Sequence, residues 1–389
     1  MKKLLLIPVL IVTATSAAYA NPKVYGKIFL TADYVNMQSD LITKLALNET
    51  VKTLDGYDKN AVEINSHGSR IGIKGDEALS DHTNIIYKLE YGVHVDGDDQ
   101  SLKSRDTYLG LENKKFGEVR VGRNSSVLDE VNNVTVTEGY WDNLGDGKLK
   151  DEQELRALNM LDDSRQSNSI VWFAPQYKDV PVKLALQYAT NEDESRNEGY
   201  GASIMLEGAQ GITAGLAYTK NMDNEGKIDI LDLTDINKLD SRKVEYSGDI
   251  IRGTLRADLN KFTSLPLTLG VMYQEGDYKY QGSKTEKGLV VSGKMKLAQF
   301  DKPAAVYLQY NKTDNLNGYA DSNSDQIVLG GTYDFKKDIT AHAYIGKNSA
   351  DYVSVGKVKV DEKGKKNYYA NIESDIDVFA FGAGLEYKF

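Results

Sequence analysis

The chain carries four histidines, His67, His82, His94 and His342, and no cysteine. The histidines are scattered without the spacing of a metal site, and there is no thiol for ligation or disulfide formation. A run from Asp142 through Asp146 and Gly147 has part of a calcium-loop pattern, but Leu144 and Gln153 stand where oxygen ligands are required. No nucleophile motif is visible; an enzyme would have to pair a Ser or Asp with His67 or His82, which lie near acids. No metal or cofactor is implied. What remains is charge aimed in particular directions. Asp129, Glu130, Glu138 and Asp142 collect in the stretch 124–164, and single bases such as Lys27 and Arg70 interrupt alternating apolar stretches.

Charge of that kind needs rigid elements to aim it, and the recurring pattern is alternation with a period of two, the mark of a strand with one apolar face. Phe379, Phe381, Ala383, Leu385, Tyr387 and Phe389 fall on one face of the last stretch, with Gly382, Gly384, Glu386 and Lys388 on the other. The same rhythm runs through Val182 to Tyr188, Ile212 to Tyr218, Leu265 to Tyr273, Ala304 to Tyr310 and Ile327 to Phe335. Short connections fall at 76–81, 113–117, 176–180, 208–211, 260–264, 300–302 and 336–337. Long polar ones fall at 37–60, 96–101, 124–164, 191–197, 221–242, 277–287, 313–323 and 349–374. The two kinds alternate throughout, which predicts sixteen strands with both termini on the short-turn side. An all-β fold so sorted is a transmembrane antiparallel β-barrel, with its apolar faces toward lipid and its polar faces toward the lumen.

Parity then aims individual charges. Ile28, Leu30, Ala32 and Tyr34 share a face, so Lys27, Thr31 and Asp33 point inward; Arg70 is inward by the same count against Ile71 and Ile73. A charge facing lipid would cost ~2–4 kcal/mol at the bilayer midplane. At Arg105 the count is less clean, because it sends the neighbouring Asp106 to the lipid side.

Residues 1–20 read as a cleaved export signal: Lys2 and Lys3, an apolar run from Leu4 to Val12, then Ala18-Tyr19-Ala20. Residues 21–389 form a single barrel domain on this reading. Tyrosine (25) outnumbers phenylalanine (9) and tryptophan (2), a balance suited to a membrane interface where the ring is buried and the hydroxyl is wet. A mean hydropathy of −0.46 and 27% charged residues exclude a bundle of membrane helices. A net charge of −10 argues against a nucleic-acid partner.

Several motifs then appear in order: Val24-Tyr25-Gly26-Lys27, Ser69 to Gly75 (SRIGIKG), Leu89-Glu90-Tyr91-Gly92, Arg105 to Leu111 (RDTYLGL), Phe116 to Arg123 (FGEVRVGR) and the terminal Gly384 to Phe389. In this order and spacing they resemble the general porins, the trimeric diffusion channels of enterobacterial and neisserial type; residues 190–370 match only in strand rhythm. The resemblance implies a homotrimer in the Gram-negative outer membrane, exported by the Sec route and in contact with lipid and lipopolysaccharide. It implies that the connection 124–164 folds inward, its carboxylates facing a row of wall bases. Carried over residue by residue, the bases are Lys27, Arg70, Arg105 and Arg165, and the acids are Glu138 and Asp142, with Asp129 and Glu130. Such opposed charges would set a transverse field that favours polar solutes and ions. Phe389 is implied as the signal read by the barrel-assembly machinery. Two departures stand out. The family's Pro-Glu-Phe-Gly-Gly loop tip is replaced by Thr137-Glu138-Gly139-Tyr140-Trp141-Asp142, and the second outer connection, 96–101, is shorter than the family's latch over a neighbouring subunit.

The expected function is passive diffusion of small hydrophilic solutes and ions through a water-filled channel. A substrate-selective channel with an internal binding site is the alternative, since selectivity depends on side-chain spacing that sequence does not display. An outer-membrane enzyme barrel is a more distant one.

Overall fold

Each alternating stretch becomes a strand, and each strand pairs antiparallel with its neighbour. The computed structural model describes residues 22–44, 51–97, 102–145, 157–162, 165–177, 180–190, 198–208, 210–231, 239–278, 282, 284–359 and 367–389. Residues 1–21, which include the expected export signal, residues 98–101 of the second outer connection and residues 146–156 and 163–164 of the long connection lie outside them. The strands of the first half are β1 (Lys23–Lys44), β2 (Val51–Ser66), β3 (Arg70–Ser80), β4 (Thr83–Gly92), β5 (Lys103–Asn113), β6 (Gly117–Ser125), β7 (Arg165–Phe173), β8 (Val182–Ala189) and β9 (Gly199–Glu207). Those of the second half are β10 (Ile212–Leu231), β11 (Leu239–Asp258), β12 (Leu267–Tyr278), β13 (Glu286–Lys296), β14 (Ala304–Asp314), β15 (Asn323–Lys336), β16 (Ile339–Lys359) and β17 (Asn367–Lys388).

The sheet closes on itself. β1 pairs with β17 from Lys27↔Lys388 to Lys44↔Asn371. On its other edge β1 pairs with β2 above, through Leu30↔Ser66, and with β3 below, through Lys27↔Arg70. β2 and β3 are therefore two parts of one spanning strand, interrupted at His67–Ser69, where Gly68 takes the left-handed φ of +57°. The seventeen segments make sixteen spanning strands, the expected number. Closure is obligatory in lipid, because each unpaired backbone group at an open edge would cost several kcal/mol.

Three expected loops turn out to be mostly strand. The hairpins β1–β2, β10–β11 and β16–β17 stay paired out to Lys44↔Val51, Leu231↔Leu239 and Lys359↔Asn367. Beyond the membrane both faces of a hairpin are wet, so the hydropathy alternation fades while backbone pairing continues. The wall is consequently uneven: β3 to β9 are 8–11 residues long, whereas β1, β10, β11, β16 and β17 have 20–22.

The outward face carries the apolar residues that parity assigned to it, including Leu269, Val271, Tyr273, Leu308, Leu329, Phe381 and Leu385, all exposed on the barrel exterior. The inward face is less uniformly polar than expected. Phe29, Val35 and Met37 point inward from β1 and are buried, as are Met272, Val290, Val328 and Val378. Phe29 meets the rings of His67 and His342, and the others pack against the long connection between β6 and β7, which brings Val127, Leu128, Val131, Val134, Trp141, Leu158 and Met160 to the wall. Val271 sits between Leu269 and Tyr273 on the lipid face of β12. Val271→Arg is expected to lower the barrel's folding stability by ~2–4 kcal/mol, read as the urea midpoint of folding into lipid vesicles. An unchanged midpoint would contradict the assignment of that face.

Candidate functional site

The inward face of β3–β7 carries a dense network of ions. Glu90 on β4 accepts from Arg105 Nε at 2.8 Å and from the Tyr25 hydroxyl at 2.8 Å, with Lys88 Nζ at 3.5 Å and Arg70 Nε at 3.7 Å. Asp106 on β5 accepts from Lys88 Nζ at 2.7 Å, from Arg165 Nε at 3.0 Å and from the Ser125 hydroxyl at 3.2 Å. Four cations thus share two carboxylates, which leaves the patch positive. The bases keep 18–31% of their side-chain surface accessible, while Glu90 keeps 5%. The carboxylates hold the bases in place from behind, and the guanidinium and ammonium groups face the open lumen. Arg120 on β6 extends the row, paired with Glu118 and stacked between the rings of Phe173 at 4.4 Å and Tyr108 at 4.8 Å.

A β-bulge explains how Arg105 and Asp106 both reach this network. The β4–β5 register passes from Leu89↔Thr107 to Tyr91↔Ser104, so the two residues Arg105 and Asp106 oppose the single residue Glu90. An extra residue of this kind breaks the strict alternation and turns both side chains to one side. The expected outward position of Asp106 is corrected accordingly: it faces inward. Lys88, Glu90 and Asp106 were absent from the expected set, although Leu89, exposed on the lipid face, gives the parity that turns Lys88 and Glu90 inward.

The rest of the wall is met by the connection that follows β6. Its described part runs along the inward side chains from β8 to β17 and then back. Outbound, Val127 N donates to Gln187 Oε1 at 3.1 Å, Thr254 Oγ1 to Val131 O at 2.9 Å, Ser292 Oγ to Val134 O at 2.5 Å and Val136 N to Gln309 Oε1 at 2.7 Å. At the turn, Tyr140 N donates to the Tyr344 hydroxyl at 3.1 Å, which donates to Asp33 Oδ1 at 2.6 Å, and Trp141 Nε1 donates to Ala380 O at 3.3 Å. On the return, Asn143 and Gln326 exchange amide hydrogen bonds at 2.8 and 2.9 Å, and Asn348 accepts from Leu158 N at 3.2 Å while donating to its carbonyl at 2.9 Å. Leu161 N donates to Glu286 Oε1 at 3.0 Å. Backbone groups that no strand pairs are thereby satisfied by wall side chains, as burial demands. Gly346 makes room for the Trp141 ring; a Cβ there would lie 2.6 Å from Trp141 Cε2.

Arg252 on β11 ties the two ends of the connection together. It is fully buried, donating from Nη1 to Leu128 O at 3.3 Å and from Nη2 to Asp162 Oδ1 at 2.5 Å; Gln274 Oε1 accepts from its Nε at 2.9 Å. Leu128 is near the start of the connection and Asp162 near its end. Arg252 was not among the expected residues; its parity between the outward Ile251 and Leu255 was legible, its partners were not.

The expected site residues separate into groups. Arg70, Arg105 and Arg165 converge on the β3–β7 network. Lys27 stands apart, 3.1 Å from Glu386 Oε2 on β17. Among the loop acids, Glu138 is half-buried in the field of Lys27 and Lys294, and burial, reinforced by the neighbouring Asp142, pushes its carboxyl up to about 7. Asp142 is exposed beside it. Glu130 is exposed in the field of Arg120 and Lys183, and Asp129 is partly buried next to it. Phe389 completes the seam: Gly26 N donates to its carbonyl at 2.9 Å, its own N donates to Gly26 O at 3.1 Å, and its ring lies over Gly26.

Comparison with known proteins agrees with this architecture. The family model described as Gram-negative porin matches residues 9–352. The major outer membrane protein P.IB of Neisseria meningitidis serogroup A is 25% identical over 330 residues, 83% of each chain. P.IB of Neisseria sicca is 40% identical over 106 residues, covering 26% of this chain and 29% of that one. Among solved structures, the anion-selective porin from Comamonas acidovorans superimposes with a TM-score of 0.62 at 15% identity, over 95% of this chain and all of the other. Salmonella typhi OmpF does so with a TM-score of 0.58 at 18% identity, over 95% and 97%. A closed barrel of sixteen strands with a match to the family over most of its length makes this chain a member of the Gram-negative porin family, an outer-membrane channel for passive diffusion.

Proposed function

We propose that residues 124–164 narrow the channel and that solutes pass between this connection and the bare basic wall of β3–β7. One observation carries the reading: the hydrogen bonds of the described part of the connection run along β8 to β17, and the stretch of wall that this part leaves uncovered bears Arg70, Lys88, Arg105 and Arg165. Glu130, Glu138 and Asp142 supply negative charge on the connection. Bases on one side and carboxylates on the other produce a transverse field, strengthened by the low dielectric of the protein around it. Polar solutes and ions can orient in that field, and apolar ones gain nothing from it.

Further parts of the reading follow from family membership. Residues 1–20 direct export and are removed, the barrel assembles as a homotrimer, and its rim contacts lipopolysaccharide. Phe389 serves the barrel-assembly machinery as well as the seam. The chain acts as a channel and not as an enzyme. His67 comes nearest to a catalytic arrangement, but its Nε2 faces both Thr31 Oγ1 at 2.8 Å and Asp33 Oδ2 at 3.3 Å. A relay needs the carboxylate on the other ring nitrogen.

In planar bilayers the protein is expected to give ohmic currents in potassium chloride; a sealed barrel would sink the proposal. Glu138 is mostly neutral below about pH 7 and ionised above it. Raising pH through that value therefore adds negative charge to the connection, and the cation-to-anion permeability ratio should rise. The rise should be much reduced in Glu138→Gln, and a full rise in that variant would remove Glu138 from the constriction. Arg252→Ala frees both ends of the connection and should give a larger, noisier single-channel conductance than Arg252→Lys. Equal and quiet currents in both would mean that the clamp does not set the aperture.

A further inference from the structure

We propose that the barrel contains a second charged site, separate from the β3–β7 wall, which holds a small multivalent oxyanion at the short-turn end of β11–β13. A cavity of about 390 Å³ lies there between residues 133–136 of the connection and the wall. Arg256 from β11 and Lys294 and Lys296 from β13 line it, together with Thr268 and Ser292. The register brings them together: Arg256 is paired with Gly270, Gly270 with Ser292, and Thr268 with Lys294. Arg256 follows the inward Arg252 and Thr254 by parity, and Lys294 and Lys296 follow the inward Ser292.

The charge balance differs from that of the first site. On β3–β7, wall carboxylates neutralise part of the row. Here no carboxylate lines the cavity, and among the described residues none of the three cations forms an ion pair. Asp258 accepts from Asn260 N at the turn, and Glu138, which feels Lys294, belongs to the adjoining part of the connection. Three like charges around one recess repel, and an anion placed among them relieves that repulsion. The roof is held: Val134 O is bonded to Ser292 and Val136 N to Gln309. A recess that keeps its shape without its ligand is the usual form of a small-molecule site. The Thr268 hydroxyl and three cationic donors suit phosphate or a short di- or tricarboxylate better than chloride, because several oxygens can be met at once. The short-turn end of a barrel is its periplasmic end, so the site would hold anions at the inner mouth.

This inference rests on the channel reading, and the test separates the two. Chloride current is measured in planar bilayers at fixed ionic strength while inorganic phosphate replaces chloride on one side at a time. Phosphate from the short-turn side should depress the current saturably at millimolar concentration, with a weaker effect from the other side. The double variant Arg256→Gln/Lys294→Gln should shift saturation by about tenfold or more, through loss of two of three cations, whereas Lys302→Gln, at the exposed turn after β13, should retain it. Calorimetric titration of the detergent-solubilised barrel with phosphate, wild type against double variant, gives a readout independent of current. Ohmic chloride current with no saturable phosphate effect, or a calorimetric affinity that the double variant leaves unchanged, would overturn the site while sparing the channel. Absence of all current together with variant-sensitive phosphate binding would do the reverse.

Discussion

A backbone amide or carbonyl facing lipid has no water to bond, and that constraint organises the whole molecule. It forces the last strand back onto the first, so that β17 pairs with β1 and the final residue exchanges hydrogen bonds with Gly26. The same absence of water turns an apolar face of every strand outward, because a polar side chain there would go unsolvated. Polarity is left only the inside, and the inside is where this chain concentrates its ionic chemistry. The channel is in that sense the residue of a solvation problem solved on the other face.

The inner surface is divided between two kinds of stabilisation. On β3–β7, ions hold one another: Glu90 and Asp106 are almost fully covered by the bases they anchor. On β8–β17, a long irregular segment is held by side-chain hydrogen bonds to its backbone and by apolar contacts beneath it. Trp141 and Tyr344 pack with Val35, Met37, Val328 and Val378 to form a hydrophobic core inside a barrel whose lumen is nominally wet. Burying those groups supplies the driving force that hydrogen bonds alone, being exchanged for bonds to water, would not.

How much of this could be read from the residues depends on whether a feature leaves a periodic trace. The lipid face does, because solvent selects every second residue, and the same trace put Lys27 and Arg70 on the face opposite it, where Lys27 meets Glu386 and Arg70 lies near Glu90. The bulge at Arg105 and Asp106 does not: one additional residue in a strand has no compositional mark, and it reverses the parity of what precedes it. The extensions of β1–β2, β10–β11 and β16–β17 were missed for a related reason, since pairing outside the membrane has no solvent asymmetry to display. Glu90 and Lys88 were within reach of the parity rule. The contact of Arg252 with Asp162 joins residues 90 apart in the chain, and no local pattern signals it.

The hydrogen bonds of the connection between β6 and β7 also carry information about time. Gln187, Thr254, Ser292, Gln309, Gln326, Tyr344 and Ala380, to which its described backbone and side chains are bonded, all lie downstream of it in the chain. Their separations reach 239 residues, the non-local kind of contact that is slow to form. In the order of the chain the connection therefore precedes each of these hydrogen-bonding partners, whereas Val35 and Met37 of β1, which pack against it, come before it. The set of partners is complete only with β17, the last strand, through Ala380.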